Sequence, residues 1–273
     1  MAIRTISLFS GVGGLDLAVR VAIPSARTVC YVEGEAFAAA VLVARMQEGS
    51  LDEAPIWSDV CTFDGRPWRG AVDLIAGGFP CQDLSSAGKR RGLDGERSGL
   101  WWQYHRIVAE VQPRWVFVEN VEGLAARGLG DVLEALSDIG YDAEWGVLAA
   151  AEVGAPHRRR RLFILAWRRD VADNCGDGES WSRERELQDC ETSSRDKSSG
   201  CRAIFPPGPD PSLWRDIEAE AQPCLHGVAD GLAARVDRIR ACGNGVVALQ
   251  GAAALALLAR RAGQHELMGG DVR

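Results

Sequence analysis

Val72-Asp73-Leu74-Ile75-Ala76-Gly77-Gly78-Phe79-Pro80-Cys81-Gln82, continuing as DLSSAGKRRGLDGERSGLWW to Trp102, is the stretch from which the chain is read. Val72, Leu74, Ile75 and Ala76 form a short apolar run with the length and composition of a buried strand in an α/β sheet. Gly77 and Gly78 stop it. Pro80 fixes its own φ and biases Phe79 toward an extended conformation, so Cys81 follows on a stiff turn at a strand's carboxyl end, where ligands of open α/β sheets sit. Cys81 is then either a small buried hydrophobe or a nucleophile whose pKa is lowered by the neighbouring Lys89, Arg90, Arg91 and Arg97. Gly88, Gly92, Gly95 and Gly99 punctuate this basic, serine-containing run, which suggests a mobile loop able to fold over a polyanion.

Outward from that stretch the chain repeats the pattern of strand, turn and helix. Thr5 to Phe9 reads as a first strand, Ser10-Gly11-Val12-Gly13-Gly14 as a tight loop, and Leu15 to Val21 as the start of a helix. Such a succession brings bare backbone N–H groups close to a ligand, although the loop is not the dinucleotide pattern G-x-G-x-x-G. A second strand, Thr28 to Val32, ends at Glu33, where an acid can accept hydrogen bonds from ribose hydroxyls; Glu35 competes for that role or simply starts a helix. Leu100 to Val111 has helical spacing, with Trp101 and Trp102 read as core. Trp115 to Val118 is strongly strand-like and ends in Glu119-Asn120-Val121, so Glu119 is either a buried proton donor or a surface acid capping the next helix. Leu129, Val132, Leu133, Leu136 and Ile139 mark a helix that Gly140 ends, and Trp145 to Ala150 reads as a strand. Gly154-Ala155-Pro156 then turns the chain into His157-Arg158-Arg159-Arg160-Arg161. In extended backbone Arg159 and Arg161 share one side, suited to a phosphate or a pyrimidine carbonyl, unless the run is merely a solvated charge cluster. Ala248 to about Arg260 is an alanine- and leucine-rich helix, and the tail after Gly263 reads as dispensable.

A chain of 273 residues buries a substantial core and has room for one large and one small domain. No apolar run reaches membrane-spanning length and no secretion signal opens the chain, which points to a cytoplasmic protein without a membrane partner. The eight cysteines include no C-x-x-C pair, so neither a zinc ribbon nor a redox pair is expected, and no metal site. A net charge of −7 is unfavourable for a nucleic-acid binder, yet arginine concentrates at 89–97 and 158–169 while acids are dispersed.

Pro80-Cys81-Gln82, followed by Ser85, Gly88, Lys89, Gly92, Arg97 and Leu100, resembles the catalytic motif and active-site loop of the DNA cytosine-5-methyltransferases. Further segments fit that family in the same order. Phe9 to Gly14 is similar to its S-adenosylmethionine loop, which implies cofactor contacts from Phe9, Ser10, Gly11, Gly13 and Gly14. Glu33 matches its ribose-binding acid, and Asp59 its adenine-contacting acid, with Val60 beside the ring. Glu119 resembles its motif glutamate, and Arg159 and Arg161 its Gln-x-Arg-x-Arg pattern. Gly243-Asn244 resembles the segment that returns to close the cofactor pocket, which adds Asn244 and Val246 to Pro80 and Leu100 as cofactor contacts. Three departures stand out: Gly34 replaces a bulky residue, leaving adenine packing to Phe9 and Val60; His157 stands where glutamine is usual; and Gly245 and Ala248 differ from the commoner residues.

The resemblance implies an S-adenosylmethionine-dependent methyltransferase fold, α/β with a mixed, mostly parallel doubly wound sheet. Residues 1–168 and 230–273 would form the catalytic and cofactor-binding domain, and 169–229 a small irregular target recognition domain inserted before the C-terminal helix. It implies methyl transfer to C5 of a flipped-out cytosine in double-stranded DNA through Cys81, Glu119, Arg159 and Arg161. Gln82, Ser85, Lys89 and Arg97 would belong to a DNA-binding loop, on a monomer, with a restriction endonuclease as a possible partner. The rival expectations are a transfer-RNA cytosine methyltransferase of the same fold, a non-catalytic DNA-binding relative and a dinucleotide-dependent oxidoreductase.

Overall fold

The period-two alternation of the apolar strands is what organises the computed structural model, which describes residues 2–80, 99–169 and 245–269. Along β4 (Leu74–Gly77), β5 (Trp115–Val121) and β7 (Arg160–Arg168), Ile75, Val116, Val118, Leu162 and Ile164 enter one hydrophobic cluster. The residues between them, Leu74, Ala76, Trp115, Phe117, Phe163 and Leu165, enter another. Strands apolar on both faces need cover on both, and the helices supply it. One face packs against α3 (Leu100–Val111) and α5 (Leu129–Asp138), through Trp101, Tyr104, Ile107, Val108, Val132 and Leu136. The other packs against α1 (Gly14–Ala22) and the final helix α6 (Ala248–Arg261), through Leu15, Val19, Leu255 and Leu258.

With β1 (Ile3–Leu8), β2 (Ala26–Val32), β3 (Ile56–Trp57) and β6 (Tyr141–Ala149), the strands form one sheet in the order β3-β2-β1-β4-β5-β7-β6. β1 to β5 are mutually parallel, whereas β7 runs antiparallel to both β5 and β6. This is the expected mixed, mostly parallel doubly wound sheet. The chain steps from β1 outward to β2 and β3, then returns to place β4 on β1's other side, so the connections leaving β1 and β4 diverge and open a crevice at their carboxyl ends. α2 (Ala36–Gln47) contributes Leu42 to a small satellite cluster with Tyr31 and Leu51, and α4 (Gly123–Arg127) is a single turn beyond β5.

Several expectations change. Phe9 lies beyond the end of β1 with φ of 52°, a left-handed conformation costly for a bulky L-residue. β6 begins at Tyr141, four residues before the expected start, because pairing with β7 holds even its half-exposed residues in the ladder. Trp101 is core, but Trp102 is 48% exposed, since adjacent helical positions point about 100° apart. The tail after Gly263, expected to be dispensable, begins with a packed element, His265–Met268. Leu267 is fully buried, Gln264 accepts a hydrogen bond from Trp115 Nε1 at 2.9 Å, and Glu266 pairs with Arg114.

Candidate active site

The crevice holds a cavity of about 510 Å³, lined from β1 and its loop by Ser7 to Val12 and Gly14, from the end of β2 by Glu33, and from the end of β4 by Gly77 to Pro80. Glu119, Asn120, Val121, Arg161, Gly245 and Val246 complete one wall, and Glu35, Phe37 and Ala38 another. Cavities of this size accommodate a nucleoside-sized ligand.

Strand alternation explains why the chemistry converges. Glu119 continues the side of β5 that carries Trp115 and Phe117, and Arg161 the side of β7 that carries Phe163 and Leu165, so both face the α1 side of the sheet. Arg161 Nε lies 3.0 Å from Glu119 Oε1, and both side chains are largely buried. Burial pushes the Glu119 carboxyl above the ordinary value; Arg161 and Arg159 pull it back only in part. Glu119 is therefore no helix-capping surface acid, and it retains a proton to higher pH than an exposed glutamate. Gly78 is required here, because a Cβ on it would sit 2.8 Å from Glu119 Oε2 and 3.1 Å from Glu119 O. Asn120, on the opposite face, donates from Nδ2 to Phe79 O at 3.1 Å and braces the turn that carries Pro80.

The arginine alternation holds as expected. Arg159 and Arg161 are half-buried, while Arg158 and Arg160 are exposed, Arg160 reaching Glu122 at 3.1 Å. Arg159 donates to Gly245 O and so ties the start of β7 to the segment entering α6; burial and the like charge of Arg161 lower its pKa. Gln250, fully buried, donates to Leu148 O at 2.7 Å and to Arg159 O at 2.8 Å, a brace with no counterpart in the sequence reading. His157 is exposed.

At the other end of the cavity Gly11 N–H donates to Glu33 Oε2 and Glu35 N–H to Glu33 Oε1, both at 2.7 Å. Each carboxylate oxygen keeps lone-pair capacity for a hydroxyl, so Glu33 remains suited to a ribose. Glu35 caps α2 without a side-chain bond and is exposed, in keeping with the helix-start alternative, although it also reaches the cavity wall. A Cβ on Gly14 would meet Val246 O at 2.7 Å, so the glycine loop and the returning segment touch backbone to backbone. Gly13 caps α1 with φ of 80°, and Arg45 Nη1 steadies the loop by donating to Val12 O at 2.8 Å. A glycine-lined cradle, an available carboxylate and an aromatic wall fit S-adenosylmethionine.

Four of the expected contacts, Gly13, Asp59, Val60 and Leu100, are not among the residues that line the cavity. Asp59 is exposed and accepts the Cys61 N–H at 2.9 Å, and Val60 is packed into the core, so neither lines the cavity. Phe37, the second residue of α2, is the additional aromatic on the wall, a residue whose helical position alone gave no sign of it. Leu100 is half-buried against the core at the start of α3, off the cavity wall. Cys81, Gln82, Ser85, Lys89, Arg97 and Asn244 lie outside the described residues, as do residues 170–229 of the segment expected to recognise the target. Among the described residues no cluster of metal ligands is present, and no helix is long and apolar enough to cross a membrane.

Residues 3–204 match the family described as C-5 cytosine-specific DNA methylase. The type II methyltransferase M.Eco47II of Escherichia coli is 31% identical over 241 residues, covering 80% of this chain and 55% of that protein. The orphan methyltransferase M.SPRI of Bacillus phage SPR is 32% identical over 191 residues, covering 68% of this chain and 42% of that protein. The chain thus spans about half the length of these relatives. In fold alone it is similar to the Entamoeba histolytica methyltransferase EhMeth, with a TM-score of 0.53 at 16% identity over 68% of this chain and 58% of that one.

Proposed function

Given that the chain belongs to the C-5 cytosine-specific DNA methylases, we propose that it transfers a methyl group to C5 of a cytosine in a specific double-stranded DNA sequence. The observation that carries this reading is the buried Glu119–Arg161 pair on the wall of the cavity that the glycine loop, Glu33 and Pro80 also line. A buried acid whose pKa is raised, set beside a guanidinium and against the Gly78–Pro80 turn that leads to Cys81, matches what a pyrimidine needs in order to accept a nucleophile.

Cytosine C5 is a poor nucleophile, because alkylating it directly disrupts the ring's conjugation. In the proposed reaction the Cys81 thiolate forms a bond to C6, and the displaced electron pair moves toward C5 while Glu119 donates its proton, or a hydrogen bond, to N3. Arg161, with Arg159 beside it, holds the pyrimidine O2 and the adjoining backbone. S-adenosylmethionine, when bound, supplies an electrophilic methyl group on a sulfonium. C5 takes that methyl, then loses its proton to a base, and the returning electron pair expels the Cys81 thiolate. Phe9 to Gly14, Glu33 and Val246 would hold the cofactor, with Phe37 adding apolar wall. None of this is possible inside a stacked duplex, so the target base is flipped into the cavity and the loop carrying Gln82, Ser85, Lys89 and Arg97 closes behind it. Base readout is assigned to residues 169–229, inserted between the two parts of the catalytic domain. A restriction endonuclease acting on the same site is the partner proposed for such an enzyme, which we take to be a cytoplasmic monomer.

Incubation with a random-sequence duplex library and cofactor, followed by bisulfite sequencing, tests reaction and specificity together. Methylation of one sequence context, abolished in Cys81→Ser without loss of cofactor binding, is expected. Conversion of transfer RNA with none of DNA would replace the substrate, and a wild-type rate in Cys81→Ser would remove the covalent step. A 5-fluorocytosine duplex should trap a stable adduct through Cys81.

A further inference from the structure

Behind Ser7 on the cavity wall lies an acid that the proposed reaction leaves without a task. Asp16, in the first turn of α1, is 5% exposed; Ser7 Oγ donates to its Oδ2 at 3.0 Å and Thr28 Oγ1 to its Oδ1 at 3.4 Å. A bulge in β2 makes this possible. Thr5 pairs with Thr28 but Ile6 with Cys30, so an extra residue turns Thr28 onto the same face as Tyr31, toward α1. Ser7 also anchors the glycine loop, since its carbonyl accepts Ser10 Oγ at 3.1 Å. Among the described residues no cation pairs with the carboxyl. The groups facing it are Ser7 from β1, Thr28 and the Tyr31 phenol from β2, and Asp52 from the segment after α2, which adds like charge. Burial accordingly raises its pKa to about 6.

A carboxylate buried against two hydroxyls with no counter-charge beside it is an unfavourable feature for a fold to carry, and Ser7, one of those partners, also lines the ligand cavity. On the wall itself Glu33 and Glu35 stand against the one guanidinium of Arg161, so the cavity leans negative even with Glu119 protonated. We propose that Asp16 is a positioning residue of the cofactor site, whose charge behind Ser7 biases the cavity toward a cationic sulfonium ligand over its neutral thioether product. This rests on the cofactor reading above. It gives the cavity a means of distinguishing S-adenosylmethionine from S-adenosylhomocysteine, two molecules of almost the same shape, by charge.

The test is calorimetric binding of both nucleosides to the full chain, between pH 5 and pH 8, in wild type, Asp16→Asn and Glu119→Gln. In wild type the preference for the sulfonium should grow several-fold as pH rises through about 6. Asp16→Asn should bind with a lower preference that no longer changes with pH, and Glu119→Gln should keep the wild-type rise. A flat preference in wild type overturns the proposal without any variant. So does a rise that survives in Asp16→Asn or vanishes in Glu119→Gln, or an equal weakening of both ligands in Asp16→Asn, which would make the residue scaffold only. Absence of binding by either nucleoside at any pH would bring down the cofactor reading itself, and this inference with it.

Discussion

Asp16→Asn should make the ligand-free protein more stable at pH 8. Unfolded, the carboxyl has an ordinary pKa of 3.8; folded, burial holds it at about 6. A folded-state value above the unfolded one means a contribution that is fully present below 3.8 and lost as pH rises through 6. At about 1.4 kcal/mol per pKa unit, the ionised carboxylate costs the native state on the order of 3 kcal/mol at neutral and alkaline pH. Solvent screening offers no discount, because the group is buried. The asparagine amide carries no charge, its oxygen can still accept the Ser7 hydroxyl, and its NH₂ can donate to Thr28. The variant should therefore gain about 1–3 kcal/mol at pH 8, with most of the gain gone by about pH 4, where the native carboxyl is protonated. Urea unfolding at the two pH values, with unchanged m-values, measures it directly. An Asp16→Asn protein no more stable than wild type at pH 8, or equally stabilised at both pH values, would refute the reasoning. With the binding test, the outcome would mark Asp16 as stability given up for ligand discrimination.

Glu119 should give methyl transfer a descending alkaline limb, since a proton donor whose pKa burial has raised loses its proton as pH climbs through that raised value. Removing a counter-charge in Arg161→Met should move the limb to higher pH, and Glu119→Gln should abolish it and lower kcat by about 10²–10⁴, read from kcat–pH profiles. Gly78→Ala would place a Cβ 2.8 Å from Glu119 Oε2 and displace that carboxyl. It should reduce kcat by roughly tenfold or more while leaving the KM for cofactor within about threefold, in steady-state assays. Deleting residues 264–273 strips Leu267 from the core, Gln264 from Trp115 and Glu266 from Arg114, and should cost about 2–5 kcal/mol in urea unfolding.

What the sequence makes legible is what a local period can encode. Alternation from Arg158 to Arg161 puts Arg159 and Arg161 on one side, as their burial shows, and the glycines of residues 11–14 announce a close backbone approach. Residues whose task depends on another part of the chain are harder to see. Asp16 looks like a favourable first-turn acid until a bulge in β2 swings Thr28 over it. Gln250 is one polar letter in an alanine-rich helix, and only the packing of α6 on β6 and β7 reveals the two carbonyls it satisfies. Phe37 belongs to a helix of weak amphipathic pattern, and its place on the cavity wall follows from where α2 starts relative to Glu33.

The arginines carry the remaining step. Phe9 to Gly14, Glu33 and Gly78 to Pro80 all follow the carboxyl ends of parallel strands, and Glu119 lies near the end of another, as the geometry of an open sheet requires. Arg161 sits instead at the start of a strand, which in a wholly parallel sheet would put it at the far edge, a strand's length from Glu119. Because β7 alone runs antiparallel among its neighbours, its amino end meets their carboxyl ends, and Val121 pairs directly with Arg161. The reversal of one strand is thus what delivers a guanidinium to a buried carboxylate, and it explains why a basic run preceding a strand, rather than following one, belongs to the site.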